Sequence, residues 1–158
     1  MKPKILHILT PLSHHTPDSL MKEATTTTGD WIADFRRFPP TIHESRVNQV
    51  CVDITTSLLT LPDYWTIAQE WLTQFTKHTG LQDILAIDGY GFWWTNSYVE
   101  STPPSDFGNS FAWIDLLVAI RKQAQLESVV VHGQHDPIIH ITHQALEGIA
   151  IRIKAEDT

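Results

Sequence analysis

The chain has one cysteine, no long run of apolar residues and fewer basic than acidic side chains. Cys51 alone cannot form an internal disulfide, and small proteins of oxidising compartments usually carry paired cysteines. No window approaches the roughly 20 apolar residues of a membrane span. The apolar stretch near the N-terminus, interrupted by His7 and Pro11, lacks the length and cleavage site of a signal peptide. We therefore expect a soluble, cytoplasmic protein with no membrane partner.

The charge balance argues against nucleic acid as a partner. Eleven Lys and Arg against 18 Asp and Glu give a net charge of −7, which repels a phosphate backbone. The glycine-rich phosphate-binding loops, the G-x-S-x-G elbow and the H-E-x-x-H motif are all missing from the sequence. These absences leave the familiar nucleotide-binding proteins, serine hydrolases and metalloproteases without support.

Four short segments rich in Ile, Val and Leu predict strands buried on both faces. They are residues 4–10, 47–54, 83–88 and 128–132. Because helical patterns separate them, we predict a mostly parallel sheet with crossover helices. A length of 158 residues without a linker or repeat predicts a single α/β domain over residues 1–158.

The helical patterns differ in strength. Apolar residues at helical spacing predict helices over residues 63–79 and 108–125. A short helix is expected from Ser19, and a further helix over residues 31–37, which Asp30 would cap. These four helices would serve as crossovers between the strands.

The C-terminal region changes pattern. Residues 138–142 and 149–155 alternate apolar with polar side chains, which predicts an antiparallel strand pair turning at Glu147 and Gly148. A final helix is the rival interpretation, because Ile139, His143 and Leu146 are also spaced helically.

The strand assignments predict where a ligand would bind. In open α/β sheets the ligand crevice lies beyond the carboxyl ends of the strands, so Asp53, Asp88 and His132 are expected at one sheet edge. Asp88 is followed by Gly-Tyr-Gly, which would let backbone approach a ligand closely. A carboxylate can orient an imidazole that exchanges protons near neutral pH. Asp88, His132 and His135 are therefore the predicted catalytic residues.

Residues 90–100 carry five of the 15 aromatic side chains of the chain. Rings combined with amide and carboxylate groups could bind a sugar or base face, although packing of the rings in the core is the favoured alternative. On an extended chain Trp93 and Trp94 would face opposite sides, and we expect Trp94 to be buried and Trp93 exposed. The predicted ligand-binding residues are Tyr90, Trp93, Asn96, Glu100, His14, His15 and Asp53.

Six of the nine histidines fall at residues 14–15 and 132–143. Imidazole and carboxylate groups suit zinc, nickel or ferrous iron, so a divalent transition metal is one candidate cofactor. The candidate metal ligands are His132, His135, Asp136 and His140. Ordinary hydrogen-bonded or surface histidines are the alternative.

The leading functional hypothesis is a small α/β enzyme, a hydrolase or transferase, that acts on a polar, carbohydrate-like metabolite by Asp/His acid-base chemistry. One alternative is a non-catalytic ligand-binding or protein-assembly module, such as a homo-oligomer, in which the histidines are incidental. The other is a His/Asp metal-dependent enzyme. A fold alone does not decide among them.

Overall fold

A computed structural model describes residues 3–22, 28–37, 39–46, 50–58, 64–79, 86–87, 90–91 and 106–156 of the chain. The contacts divide it into two compact units, Met1–Thr60 with Trp113–Thr158 and Leu61–Ala112. In chain order the elements are β1 (Lys4–Leu9), α1 (Pro17–Lys22), β2 (Trp31–Asp34), β3 (Thr41–Arg46), β4 (Val50–Asp53), α2 (Thr55–Leu58), α3 (Tyr64–Thr79), β5 (Ala86–Ile87), β6 (Tyr90–Gly91), α4 (Asp106–Gln123), β7 (Leu126–His132), α5 (Asp136–Ala145) and β8 (Ala150–Lys154).

The first unit contains a six-stranded mixed sheet with the order β4-β3-β2-β1-β7-β8. The pairs β2–β1, β1–β7 and β7–β8 are parallel, whereas β3 is antiparallel to both of its neighbours. Five strands therefore run in one direction and β3 alone runs against them. The α/β class is confirmed, and the predicted strands at residues 4–10, 47–54 and 128–132 correspond to β1, β4 and β7.

One face of this sheet packs against helices. Leu6 and Ile8 of β1 and Val129 and Val131 of β7 point to the same face, because side chains alternate along a strand. They are fully buried with residues of α4 and α5 in the main hydrophobic core. Trp113 of α4 is the largest fully buried side chain among the described residues.

The opposite face is more polar over β1, β7 and β8. Cross-strand partners share a face, so the register places His7, His132 and Lys154 on this side. A smaller apolar cluster of Leu9, Leu20 and Ile32 joins α1 to the same face. The helices thus bury the β1 and β7 side chains of one face, and polar side chains lie on the other.

The second unit has α3, the two-residue strands β5 and β6, and the beginning of α4. Trp71 stacks on Phe75 with ring centroids 5.1 Å apart and meets Phe111 edge-on at 6.4 Å. The predicted helix over residues 63–79 is confirmed, as is the one over residues 108–125, which begins at Asp106. None of the helices among the described residues is long and apolar enough to cross a membrane.

Two predicted elements are wrong, and a third lies in a different sheet from the one expected. A helix was expected over residues 31–37, but Trp31–Asp34 forms β2, because it is buried along its whole length between β1 and β3. The predicted strand at 138–142 is part of α5, and β8 pairs with β7 in parallel, so there is no C-terminal antiparallel pair in this part of the chain. The predicted third strand is represented by Ala86–Ile87, which pairs antiparallel with Tyr90–Gly91 in a separate small sheet.

Candidate functional site

The carboxyl ends of β1, β7 and β8 lie side by side, because these three strands are neighbours and parallel. His132 is the last residue of β7 and is 2% exposed. Glu156 follows two residues after β8 ends, and His15 lies between β1 and α1. Residues far apart in sequence therefore meet at one edge of the sheet, as expected for the ligand crevice of an α/β fold.

His15, His132 and Glu156 form what we call the three-donor cluster. One ring nitrogen of each histidine and one carboxylate oxygen all lie within 4.8 Å of one another. His15 Nε2 is 3.4 Å from Glu156 Oε1, and the His15 ring meets the His132 ring edge-on with centroids 5.6 Å apart. No other group of three potential metal-binding side chains comes together in the described ranges.

The Glu156 carboxylate is held in position by the segment that follows β1. Ser13 Oγ donates a hydrogen bond to Glu156 Oε1 at 2.8 Å, and the backbone N–H of His14 donates to Oε2 at 2.7 Å. Ser13 Oγ also accepts a hydrogen bond from the backbone N–H of His15 at 3.2 Å. These bonds fix both oxygens of Glu156 and place the His15 backbone beside it.

Thr10 and Gly133 connect the ends of β1 and β7 beneath the cluster. Thr10 Oγ1 is 3.2 Å from the carbonyl oxygens of both His132 and Gly133, and it accepts a hydrogen bond from the backbone N–H of Leu12. The backbone N–H of Gly133 donates to the carbonyl of Lys154 at 2.9 Å. Gly133 has a φ of 94°, which a glycine adopts without steric cost.

On its other side His132 contacts a buried polar row. His132 Nε2 lies 3.0 Å from His7 Nδ1, and the two rings stack with centroids 5.3 Å apart. His7 Nε2 is 3.9 Å from Asp30 Oδ2 and has no hydrogen-bond partner among the described residues. Asp30 Oδ1 accepts a hydrogen bond from the backbone N–H of Ile5 at 3.1 Å.

Burial lowers the pKa of both buried histidines. The pKa of His132 falls to about 4, first because burial penalises the charged ring and then because His7, His15 and Lys154 add positive charge, which Glu156 opposes. Burial also lowers the pKa of His7, against the attraction of Asp30. Both imidazoles are therefore neutral near pH 7.

This pKa shift makes stability depend on pH. Because the pKa of His132 is about 4 in the folded chain and ordinarily 6.5, the unfolded chain takes up a proton first as the pH falls. We expect the metal-free protein to lose about 3 kcal/mol of unfolding free energy between pH 6.5 and pH 4. Urea unfolding at a series of pH values, with a chelator present, measures this loss.

A substitution of His132 by Gln is expected to reduce that slope, whereas the same change at the exposed His140 provides the control. Stability that stays constant or rises as the pH falls would contradict the burial of a neutral imidazole at position 132.

The structure brings together only part of the predicted site. His15 and His132 meet, while the exposed His14 contributes its backbone N–H. Asp53 shares the sheet edge of His132, but it lies four strands away, roughly 19 Å at the usual strand spacing. There Asp53 Oδ1 accepts hydrogen bonds from the backbone N–H and the hydroxyl of Thr55, at 2.9 and 2.6 Å.

The other predicted metal ligands lie outside the three-donor cluster. His135 caps α5, since its Nδ1 accepts a hydrogen bond from the Ile138 backbone N–H at 3.3 Å. Asp136 is exposed in the first turn of α5, and His140 Nε2 lies 3.2 Å from Gln144 Nε2 on the helix surface. Asp88, Trp93, Trp94, Asn96, Glu100 and the side chain of Tyr90 lie outside the described residues, so their predicted roles stay predictions.

Glu156, His7 and Asp30 are the site residues that the sequence did not reveal. Glu156 reaches the cluster because β8 is parallel to β7, so its carboxyl end lies beside that of β7. His7 and Asp30 lie in or beside apolar strands, where a polar residue carries no recognisable motif.

A pocket of about 330 Å³ opens on the sheet face beside the buried row. His7, Val130 and Ser128 contribute to its floor, and Arg152 and Lys154 of β8 add two positive charges. Lys154 is also the cross-strand partner of His132, so the pocket lies on the sheet face that carries the His132 side chain.

The chain matches no known protein-family model, no curated protein and no solved structure. The fold and the site define an α/β protein with a His-His-Glu cluster at the carboxyl edge of its sheet.

Proposed function

We propose that this protein is a metal-dependent hydrolase whose divalent ion, zinc by the chemistry of its ligands, is bound by His15, His132 and Glu156. The observation that carries the proposal is the convergence of three donors from distant segments within 4.8 Å of one another. A hydrolase with this centre would act on a small polar metabolite at the carboxyl edge of the sheet.

The donor set suits a catalytic zinc ion. Catalytic zinc sites typically have three protein ligands, often two histidines and a glutamate, and keep a fourth position for water, whereas structural sites have four protein ligands. Two donors bound to a tetrahedral zinc ion are roughly 3.3 Å apart. His15 Nε2 and Glu156 Oε1 are 3.4 Å apart, so this pair already has the required spacing.

The surroundings of the cluster support the same assignment. Metal ligands are usually oriented by hydrogen bonds from further residues. Here Ser13 and the His14 backbone orient the Glu156 carboxylate, and His7 contacts His132 Nε2, which leaves His132 Nδ1 for the ion. The lowered pKa of His132 also favours a ligand over a metal-free acid-base group, because the ring remains neutral without a metal.

A divalent ion with an open position lowers the pKa of a bound water to near 7, which supplies a nucleophile for hydrolysis. The pocket of about 330 Å³ on the same face of the sheet has the size of a small-metabolite site. Arg152 and Lys154 would favour a substrate with negative charge or with several oxygen atoms. A carbohydrate-like substrate and a cytoplasmic location remain part of the proposal.

Zinc affinity tests the proposal directly. We expect wild-type protein without a histidine tag to bind one zinc ion per chain, and His15→Ala to weaken binding by at least about 100-fold, because a ligand is removed. His14→Ala is the matched control, since its side chain is exposed and its backbone N–H to Glu156 is retained. A competition titration with a chromophoric chelator measures all three affinities.

Equal zinc affinity of His15→Ala and wild-type protein would reject the three-donor cluster as the metal centre. Failure of the wild-type protein to bind zinc, cobalt or ferrous iron would reject the metal-dependent function altogether.

A further inference from the structure

Three buried polar side chains cross one face of the sheet diagonally. Asp30 precedes β2, His7 lies in β1 and His132 ends β7, and these are neighbouring strands. The three residues are 4%, 3% and 2% exposed. Burying a carboxylate and two imidazoles costs free energy that apolar side chains at these positions would not. A row of this kind therefore suggests a functional requirement.

Each residue in the row contacts the next one through a ring nitrogen. Asp30 Oδ2 faces His7 Nε2 at 3.9 Å, and His7 Nδ1 faces His132 Nε2 at 3.0 Å. Because His132 Nε2 is engaged by His7, Nδ1 is the His132 nitrogen that remains for a ligand.

We infer that Asp30 is a positioning residue for the metal centre: it holds the ring protons of His7 and His132 on Nε2, so that His132 presents the Nδ1 lone pair to the ion. This inference rests on the proposed function. It assigns to Asp30 an effect on a metal ligand that Asp30 itself does not contact.

The order of donors and acceptors along the row determines this arrangement. The negatively charged Asp30 carboxylate lies 3.9 Å from His7 Nε2, which is beyond hydrogen-bond distance, and by electrostatic attraction it favours the His7 tautomer with the N–H on Nε2. His7 Nδ1 is then an acceptor, and the hydrogen bond at 3.0 Å must be donated by His132 Nε2–H. A neutral imidazole has one N–H, so Nδ1 of His132 carries the lone pair that a metal ion requires.

The opposite pair of tautomers would place a ring-nitrogen lone pair against the Asp30 carboxylate. If His7 carried its proton on Nδ1, its Nε2 lone pair would face the Asp30 carboxylate. His132 would then accept at Nε2 and carry its own proton on Nδ1, which would block metal binding. Asp30 disfavours this arrangement at the far end of the row.

Asp30→Asn is an almost isosteric test. The backbone N–H of Ile5 needs an acceptor at the Oδ1 position, so the Asn amide nitrogen would face His7 Nε2 in place of Oδ2. An N–H donor at this point should favour a lone pair on His7 Nε2. Both histidines are then expected to change tautomer.

Nitrogen-15 NMR of the metal-free protein reads the tautomers without involving zinc. In wild-type protein we expect His7 and His132 to be protonated on Nε2, and in Asp30→Asn on Nδ1. Zinc affinity is expected to fall about 10- to 100-fold in Asp30→Asn, as for other residues that orient metal ligands. Asp136→Asn, at an exposed position of α5, is the control and should bind zinc normally.

A wild-type spectrum with His132 protonated on Nδ1 would overturn the inference without any variant, even if Asp30→Asn failed to fold. Unchanged tautomers in a folded Asp30→Asn protein that binds zinc normally would overturn the role of Asp30 and leave the metal centre intact. Changed tautomers in a protein that binds no metal at all would overturn the metal centre and, with it, the role of Asp30.

Discussion

Zinc at about 1,000 times its dissociation constant is expected to raise the free energy of unfolding of the wild-type protein by about 4 kcal/mol. His132 ends β7, and His15 and Glu156 lie in the segments that follow β1 and β8, so the three ligands meet only in the folded chain. A ligand that binds the folded state alone stabilises it by mass action. Thermal unfolding with and without zinc measures this stabilisation as a shift in Tm.

Glu156→Gln is expected to abolish most of this stabilisation, because a neutral amide is a much poorer zinc ligand than a carboxylate. Glu147→Gln changes an exposed carboxylate near the C-terminus and should keep the full zinc effect. Comparing each protein with and without zinc separates metal binding from any cost of the substitution itself. Equal stabilisation of the Glu156 and Glu147 variants would contradict the assignment of Glu156 as a ligand.

Gly133→Ala is expected to destabilise the protein by about 4 kcal/mol, as measured by urea unfolding. The φ of 94° is unfavourable for alanine, and its Cβ would lie 2.5 Å from Thr10 Oγ1 and 3.0 Å from the backbone nitrogen of Ser13. If Thr10 moved away to relieve these close contacts, its hydrogen bonds to the end of β7 would break. Because Ser13 binds Glu156, zinc affinity should fall as well.

Gly148→Ala is the matched control. Gly148 has a φ of 87°, but a Cβ there would meet nothing within 4 Å among the described residues. It should therefore cost only the backbone strain of about 1 kcal/mol and leave zinc binding unchanged. Equal costs at the two glycines would show that the close approach of Thr10 to Gly133 contributes nothing to stability.

The strands and helices that have a strong local pattern of apolar residues could be predicted from the sequence. β1, β4 and β7 are short apolar runs, and α3 and α4 carry apolar residues at helical spacing, so each was found. β2 was predicted as a helix because a short apolar run next to Asp30 has the same appearance in either structure. This segment is a strand because it pairs with both β1 and β3. The sequence does not show that pairing.

β3 was missed because Thr41–Arg46 has only one large apolar residue, Ile42. The sequence does carry a signal for the C-terminal helix. Pro137 is typical of a first helical turn, and His135 provides the cap of α5. The same residues also alternate apolar with polar side chains, a pattern that favours a strand.

Glu156 could not be predicted because its position depends on how β8 pairs. β8 is parallel to β7, so the residues after β8 lie beside the carboxyl end of β7, and Glu156 reaches His15. His15 and His132 were both predicted as site residues, and the structure brings these two together with Glu156.

Anomalous X-ray scattering at the zinc absorption edge, from crystals of zinc-loaded protein without a histidine tag, shows whether His15, His132 and Glu156 bind one metal ion. We expect one zinc peak at full occupancy, about 2.0–2.2 Å from His15 Nε2, His132 Nδ1 and a Glu156 oxygen. Zinc bound at other residues, such as the surface histidines of α5, with none at this cluster, would contradict it.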